Sequence, residues 1–351
     1  MNSRERVFAM LEGKPTDCLP AMPITMMFAA DQLGIKYQDY VTDCRMQAEA
    51  QMRVAERFDA DQVSVISDPC CEPADLGAAI KFFPDQPPAI DEENALLREK
   101  TSLARLKLPD PLGGGRMTNR VRAVRLLKER ARGEKVVEGW IEGPCAESAD
   151  LRGVNRLMLD FYDDPIFVRD LMDFAVAMEL RFAKAQIEAG VDIMGIGDAA
   201  ASLIGPRFYN DFVFANEKKM IDEVHGMGAR VRLHICGDTR HIQESLGRLG
   251  ADIVEQDSLA PLDEARRKMG SQQVLLGNID PVRVLRNGTP ESVYEAVAEC
   301  HRQAGPRFVV GAGCEVTRDT PENNLHAMVR YAREHTPDAV EGVKNERRAA
   351  H

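Results

Sequence analysis

The stretch Ala229-Arg230-Val231-Arg232-Leu233-His234-Ile235-Cys236-Gly237-Asp238 opens as an apolar run and ends in polar residues and glycine. Its first part, Ala229–Ile235, reads as a β-strand, and its end reads as the loop that follows. The same grammar recurs along the chain. Further candidate strands cover Leu19–Thr25, Gln62–Ser67, Val136–Ile141, Asp192–Ile196, Asp252–Glu255, Gln273–Leu276 and Arg307–Val310, which makes eight in all. The first of them carries Pro20 and Pro23, which lack the N–H that a ladder needs.

Helical patterns fill the intervals. In Asp164–Ala189, Phe167, Leu171, Phe174, Met178 and Phe182 recur at three- and four-residue steps, with Pro165 in the first turn and Gly190 at the close. A second helix begins near Pro206 and ends at Gly226–Gly228. A third, Pro290–Gln303, has Thr289 as its N-cap and Gly305 at its end. Strands alternating with helices predict a single α/β domain over residues 1–351, a (β/α)8 barrel, with a doubly wound open sheet as the alternative. Polar residues and glycines gather where a barrel would have its mouth, as in Ser67-Asp68-Pro69, Gly197-Asp198 and Gly277-Asn278. The stretch near 81–120 reads as an irregular excursion over that mouth, because Pro84, Pro87, Pro88, Pro109 and Pro111 interrupt it.

Composition narrows the partners. A chain of 351 residues, 44% hydrophobic, can bury a large core. Its net charge of −11 argues against nucleic acid or an anionic membrane, both of which reward basic surfaces. No apolar run reaches bilayer length, and Met1-Asn2-Ser3-Arg4-Glu5-Arg6 lacks the apolar centre of a signal peptide. Eight scattered cysteines do not form a small disulfide framework, so a reducing cytoplasm is expected.

Three strand ends carry metal-binding types: His234 with Cys236, then Glu255, then Cys314 within Gly311-Ala312-Gly313-Cys314-Glu315. Residues i and i+2 of a strand share a face, so His234 and Cys236 can reach one ion. Two thiolates, an imidazole and a carboxylate suit tetrahedral zinc. One close pair with two distant ligands depends on the folded scaffold, as catalytic sites do; a purely structural zinc is the competing reading. Other features are read plainly. Gly113-Gly114-Gly115 lacks the Lys and Ser/Thr of a phosphate loop and is a flexible connection. The arginines of Arg120–Lys135 form the solvated face of a helix, Cys70 and Cys71 line the mouth, and the tail from Thr336 is a short helix or frayed end.

With these residues in place, the chain resembles the uroporphyrinogen decarboxylase superfamily, and within it the zinc-dependent, corrinoid-linked methyltransferases of the methylcobamide:coenzyme M type. The resemblance runs from Arg4-Glu5-Arg6 and Leu11-Glu12-Gly13-Lys14-Pro15 through Gly139-Trp140-Ile141-Glu142-Gly143-Pro144 and Gly197-Asp198-Ala199-Ala200-Ala201-Ser202. It closes with His234-Ile235-Cys236-Gly237, Gly277-Asn278-Ile279-Asp280-Pro281 and Gly311-Ala312-Gly313-Cys314-Glu315. It implies one (β/α)8 TIM barrel with zinc at its mouth, held by His234, Cys236 and Cys314. Glu255 matches the later carboxylate of zinc thiol-alkylating enzymes and is expected as a fourth, exchangeable ligand. The decarboxylases themselves bind their substrate's carboxylates with an N-terminal arginine-rich signature. Here Pro23-Ile24-Thr25-Met26-Met27-Phe28 stands in that region with no arginine.

The implied reaction is methyl transfer from a methylated corrinoid to a small acceptor: coenzyme M, homocysteine or tetrahydrofolate. Because no D-x-H-x-x-G motif occurs in the chain, the corrinoid should arrive on a partner protein. Asp198 is a candidate for holding the acceptor or taking its thiol proton, and Glu147 and Ser202 for lining the mouth. Asn278 and Asp280 are candidates for bonding a polar acceptor. The alternative is a demethylase component that loads a corrinoid protein from a small methylated substrate.

Overall fold

The structure, a computed structural model, describes residues 1–340. Nine strands occur among them: β1 (Gln62–Ser64), β2 (Ile80–Phe83), β3 (Gln86–Ile90), β4 (Val136–Glu142), β5 (Ile193–Gly197), β6 (Arg230–Ile235), β7 (Ile253–Gln256), β8 (Val274–Ile279) and β9 (Phe308–Ala312). Seven of them form one parallel sheet in the order β1-β4-β5-β6-β7-β8-β9. Helices separate successive strands and cover the outside. The long one, Pro165–Ala189, starts where Asp164 accepts the Phe167 N–H at 3.2 Å and stops at Gly190. Thr289 and Ser292 form a reciprocal capping box on Pro290–Ala304. This is the (β/α)8 TIM barrel.

Its eighth side differs from the expectation. Leu19–Thr25 is not a strand: Ala21 makes one isolated parallel bridge to Val310. Met22 N–H donates to the Val310 carbonyl at 2.9 Å, and Val310 N–H to that of Pro20 at 2.8 Å. On the other flank Asp61 N–H donates to the Ala21 carbonyl at 2.8 Å, and Ala21 N–H to the Asp61 carboxylate at 2.7 Å. The segment therefore bridges β9 and the start of β1, but Pro20 and Pro23 cannot extend the ladder.

The barrel interior is charged at its centre. Arg232 on β6 is fully buried, with Nη1 3.0 Å from Glu138 of β4 and 3.1 Å from Gln62 of β1. Its Nε and Nη2 donate to Glu255 of β7 at 3.0 and 2.8 Å. Above this layer Trp140 fills the space over β5. A Cβ at Gly195 would lie 2.2 Å from the indole, so only glycine admits the ring.

The excursion is more ordered than its prolines suggested. β2 and β3 pair as an antiparallel hairpin, in which both strands are edges and the missing N–H groups of Pro87 and Pro88 are tolerated. Arg318, beyond β9, ties the hairpin turn down by donating to the Asp85 carbonyl at 2.8 Å while its Nε holds Asp31 at 3.0 Å. The helix Arg116–Ala131 corrects a second expectation. Arg122, Arg125 and Arg130 face solvent, but Arg120 is buried and donates to Ser67 at 2.8 Å. Cys70 and Cys71 are buried thiols, and Cys70 Sγ donates to the Pro88 carbonyl of the hairpin at 3.4 Å. Gly115 is not a loose connector, because it lets Asp75 accept the N–H groups of Arg116 and Met117 at 2.7 and 2.9 Å. Of the tail, Pro337–Val340 is a 3-10 turn, and the expectation for 341–351 lies outside the described residues.

Candidate metal centre

Strand alternation turns Arg232 and His234 to the same inward face of β6, and Cys236 follows one residue past its end. Gly237 then turns the chain with φ +90°, a conformation that L side chains rarely adopt. Cys314 arrives from the opposite side, two residues beyond β9. His234 Nε2 is 2.9 Å from Cys236 Sγ, the two sulfurs are 3.7 Å apart, and Cys314 Sγ is 3.8 Å from Nε2. Tetrahedral zinc, with bonds of about 2.3 Å to sulfur and 2.0 Å to nitrogen, would set sulfurs about 3.8 Å apart and nitrogen about 3.5 Å from sulfur. The cluster therefore fits one such ion after a small widening of the His234–Cys236 contact. His234 is buried, whereas both cysteines are half-buried and open to one side.

Glu255 stands elsewhere than expected. β6 and β7 pair His234 with Glu255 side by side, so the carboxylate meets the flank of the imidazole: Oε2 is 2.9 Å from Nδ1. It does not join the group formed by His234, Cys236 and Cys314. Burial pushes the Glu255 carboxyl up, but Arg232 and then His234 outweigh it and hold the group below the ordinary carboxylate range. Burial works against a charged His234 as well, yet Glu255 and Cys236 raise it well above the usual imidazole value. The hydrogen bond with Cys236 is the main reason that Cys314 drops to about 5, while the same contact and burial raise Cys236. The contact thus favours deprotonation at one sulfur of the pair over the other.

The remaining candidates are mostly committed to the scaffold. Asp198 is buried and accepts the N–H groups of Ala146 and Cys145 at 2.6 and 3.3 Å, anchoring the helix Pro144–Arg152. Glu147 is fully buried, beside Glu72 and Glu179. Asn278 donates to the carbonyls of Asp257 and Ala260 at 3.0 and 2.8 Å, which fixes the loop after β7. Asp280 caps the turn Pro281–Arg286 by accepting from Val282 and Arg283 at 2.9 and 2.7 Å. Ser202 alone stays beside the cluster, its hydroxyl close against Gly237 and bonded to the Ala199 carbonyl at 2.9 Å.

Two neighbours escaped the sequence reading. The Trp140 ring lies 6.4 Å from that of His234, and with Ile24, Ile66 and Met26 it forms an apolar patch separate from the main core. Glu142, one turn of the pleat above, accepts from the indole N–H at 3.2 Å. The signal was present in Gly195 and Gly197, two glycines on one face of a strand, which make room for a large neighbour.

Fold and donors together define an α/β-barrel enzyme whose chemistry gathers at the C-terminal ends of its strands. A family model described as uroporphyrinogen decarboxylase (URO-D) matches residues 2–335. The chain belongs to the uroporphyrinogen decarboxylase family. The methylcobamide:CoM methyltransferase MtbA of Methanosarcina mazei is 28% identical over 338 residues, covering 94% of this chain and 97% of that one. A uroporphyrinogen decarboxylase of Streptomyces coelicolor is 28% identical over 297 residues, covering 82% and 81%. Among solved structures, a methyltransferase from Methanosarcina mazei matches with a TM-score of 0.86 at 20% identity, covering 95% of this chain and 99% of that one. Among the described residues, no helix is long and apolar enough to cross a membrane.

Proposed function

We propose that the protein is a zinc-dependent methyltransferase that moves a methyl group from a methylated corrinoid, carried by a partner protein, to a small thiol such as coenzyme M or homocysteine. The observation that carries this reading is the convergence of His234 Nε2, Cys236 Sγ and Cys314 Sγ within 3.8 Å of one another, with both cysteines half-buried. Relatives of equal identity include methyltransferases and decarboxylases, so identity alone does not choose. The donor set favours the former. The segment 23–28 also does, because it contributes Ile24 and Met26 to an apolar patch where a polycarboxylate substrate would need arginines.

When bound, zinc supplies a Lewis acid that keeps an acceptor thiol deprotonated at neutral pH. The chain's own residues do the rest. His234, Cys236 and Cys314 hold the ion. Glu255, itself fixed by Arg232, positions the imidazole and makes it a better donor. Trp140, Ile24 and Ile66 keep water from one side of the reacting centre.

Zinc X-ray absorption on the purified protein tests this, with coenzyme M, homocysteine and tetrahydrofolate added in turn. The expected result is a shell with two sulfurs that gains a third with one of the thiols. Absence of zinc after metal-replete purification would overturn the reading. So would an unchanged shell with both thiols while methyl transfer to tetrahydrofolate proceeds.

A further inference from the structure

Behind the barrel wall lies a second group of convergent side chains. Glu72 comes from the helix Cys71–Asp75, Glu147 from Pro144–Arg152 and Glu179 from Pro165–Ala189. All three are 0% exposed, and one carboxylate oxygen of each lies within 4.8 Å of the others. Buried carboxylates are ordinarily paired or hydrogen-bonded. Here Glu72 Oε2, Glu179 Oε1 and both oxygens of Glu147 have no partner.

The pairings that exist do not resolve the cluster. Arg120 Nη1 reaches Glu72 Oε1 at 3.3 Å, and Glu179 Oε2 accepts the Glu142 N–H at 3.3 Å. Elsewhere in this molecule buried carboxyls have definite donors: Asp198 accepts the backbone N–H groups of Cys145 and Ala146, and Glu217 Oε2 accepts from the Tyr209 hydroxyl. Glu147 has no such bond, to side chain or backbone; burial and the charges of Glu72, Asp150 and Glu142 all act to raise it. Burial raises Glu72 and Glu179 as well, so without a cation the cluster would be held partly protonated; ionised together, the three carboxylates beside one guanidinium would carry two net negative charges. A single divalent ion matches that charge and reaches all three residues at once.

We propose that Glu72, Glu147 and Glu179 hold one hard divalent cation, of the manganese, magnesium or calcium class, distinct from the His234–Cys236–Cys314 centre. An all-carboxylate set excludes the thiolate-loving metals by chemistry. The ion would join the helices after β1 and β4 to the long helix Pro165–Ala189, which makes it a structural clamp.

The test uses the full-length protein purified from cells grown with added Mn2+, desalted and analysed for metals and by electron paramagnetic resonance. About one manganese per chain is expected, displaced by Ca2+ or Mg2+ in excess. Glu147→Gln should retain at least about tenfold less manganese with unchanged zinc and circular dichroism. Should that variant not fold, pulsed resonance on the wild type decides. A spectrum free of nitrogen coupling supports the carboxylate site, and an imidazole coupling places the manganese at His234 and overturns it. Wild-type protein that holds no metal beyond zinc after growth in Mn2+, Mg2+ or Ca2+ also overturns it, as does full manganese retention by Glu147→Gln.

Discussion

His234 is gripped from behind by Glu255, and that grip selects the nitrogen left for a metal. With the carboxylate 2.9 Å from Nδ1, Nε2 is the atom that points to Cys236 and Cys314. Glu255→Gln should therefore weaken zinc binding by about 10–100-fold, read by chelator competition, while the sulfur and nitrogen count of the zinc shell stays the same. Loss of an oxygen neighbour in that variant would instead make Glu255 a ligand. The convergence of His234, Cys236 and Cys314 was legible because i, i+2 spacing and strand ends place them. Glu255 was not, since a sequence does not say which edge of an imidazole a neighbouring strand will meet. Arg120 was misread for a different reason. It lies four residues before Val124 and seven before Leu127, so it shares their buried stripe, and helical periodicity outranks its charge.

At the level of elements, the loops after β4 and β5 are tied together by Asp198. Its carboxylate takes two of the N–H groups that the helix Pro144–Arg152 leaves free at its start. Asp198→Ala should cost about 1–3 kcal/mol of stability, seen as a lower urea midpoint, with zinc content unchanged. A variant of normal stability but without methyl transfer would return Asp198 to the chemistry. Element boundaries were read well wherever caps and glycines punctuate the chain, as at Thr289 and Gly190. They were read poorly at Leu19–Thr25, where an apolar pattern persists but prolines withhold the ladder, and at β2–β3, where prolines hid a hairpin of two edge strands.

Across the whole molecule, carboxyl groups kept out of water make stability depend on pH. Burial, and then the charge of Glu72, pushes Glu142 up to about 8 from an ordinary 4.5. The folded state therefore holds this proton more tightly than the unfolded chain does. Its contribution is full below the unfolded value of 4.5 and is lost as pH rises toward 8. Between about pH 5 and pH 8.5 the wild-type urea midpoint should fall, and Glu142→Gln should flatten that slope. An equal slope in both proteins would remove Glu142 as the cause.

The barrel's closure has a consequence of its own. Residues 20–22 fasten to Val310 like a clasp, through the two backbone bonds of a single bridge where a true strand would offer a continuous weld. Cys314 follows Val310 by four residues on the same piece of chain. Unfastening the N-terminal segment thus slackens the very arm that delivers the second sulfur. The barrel's closure and the approach of Cys314 to His234 and Cys236 are thereby one latch.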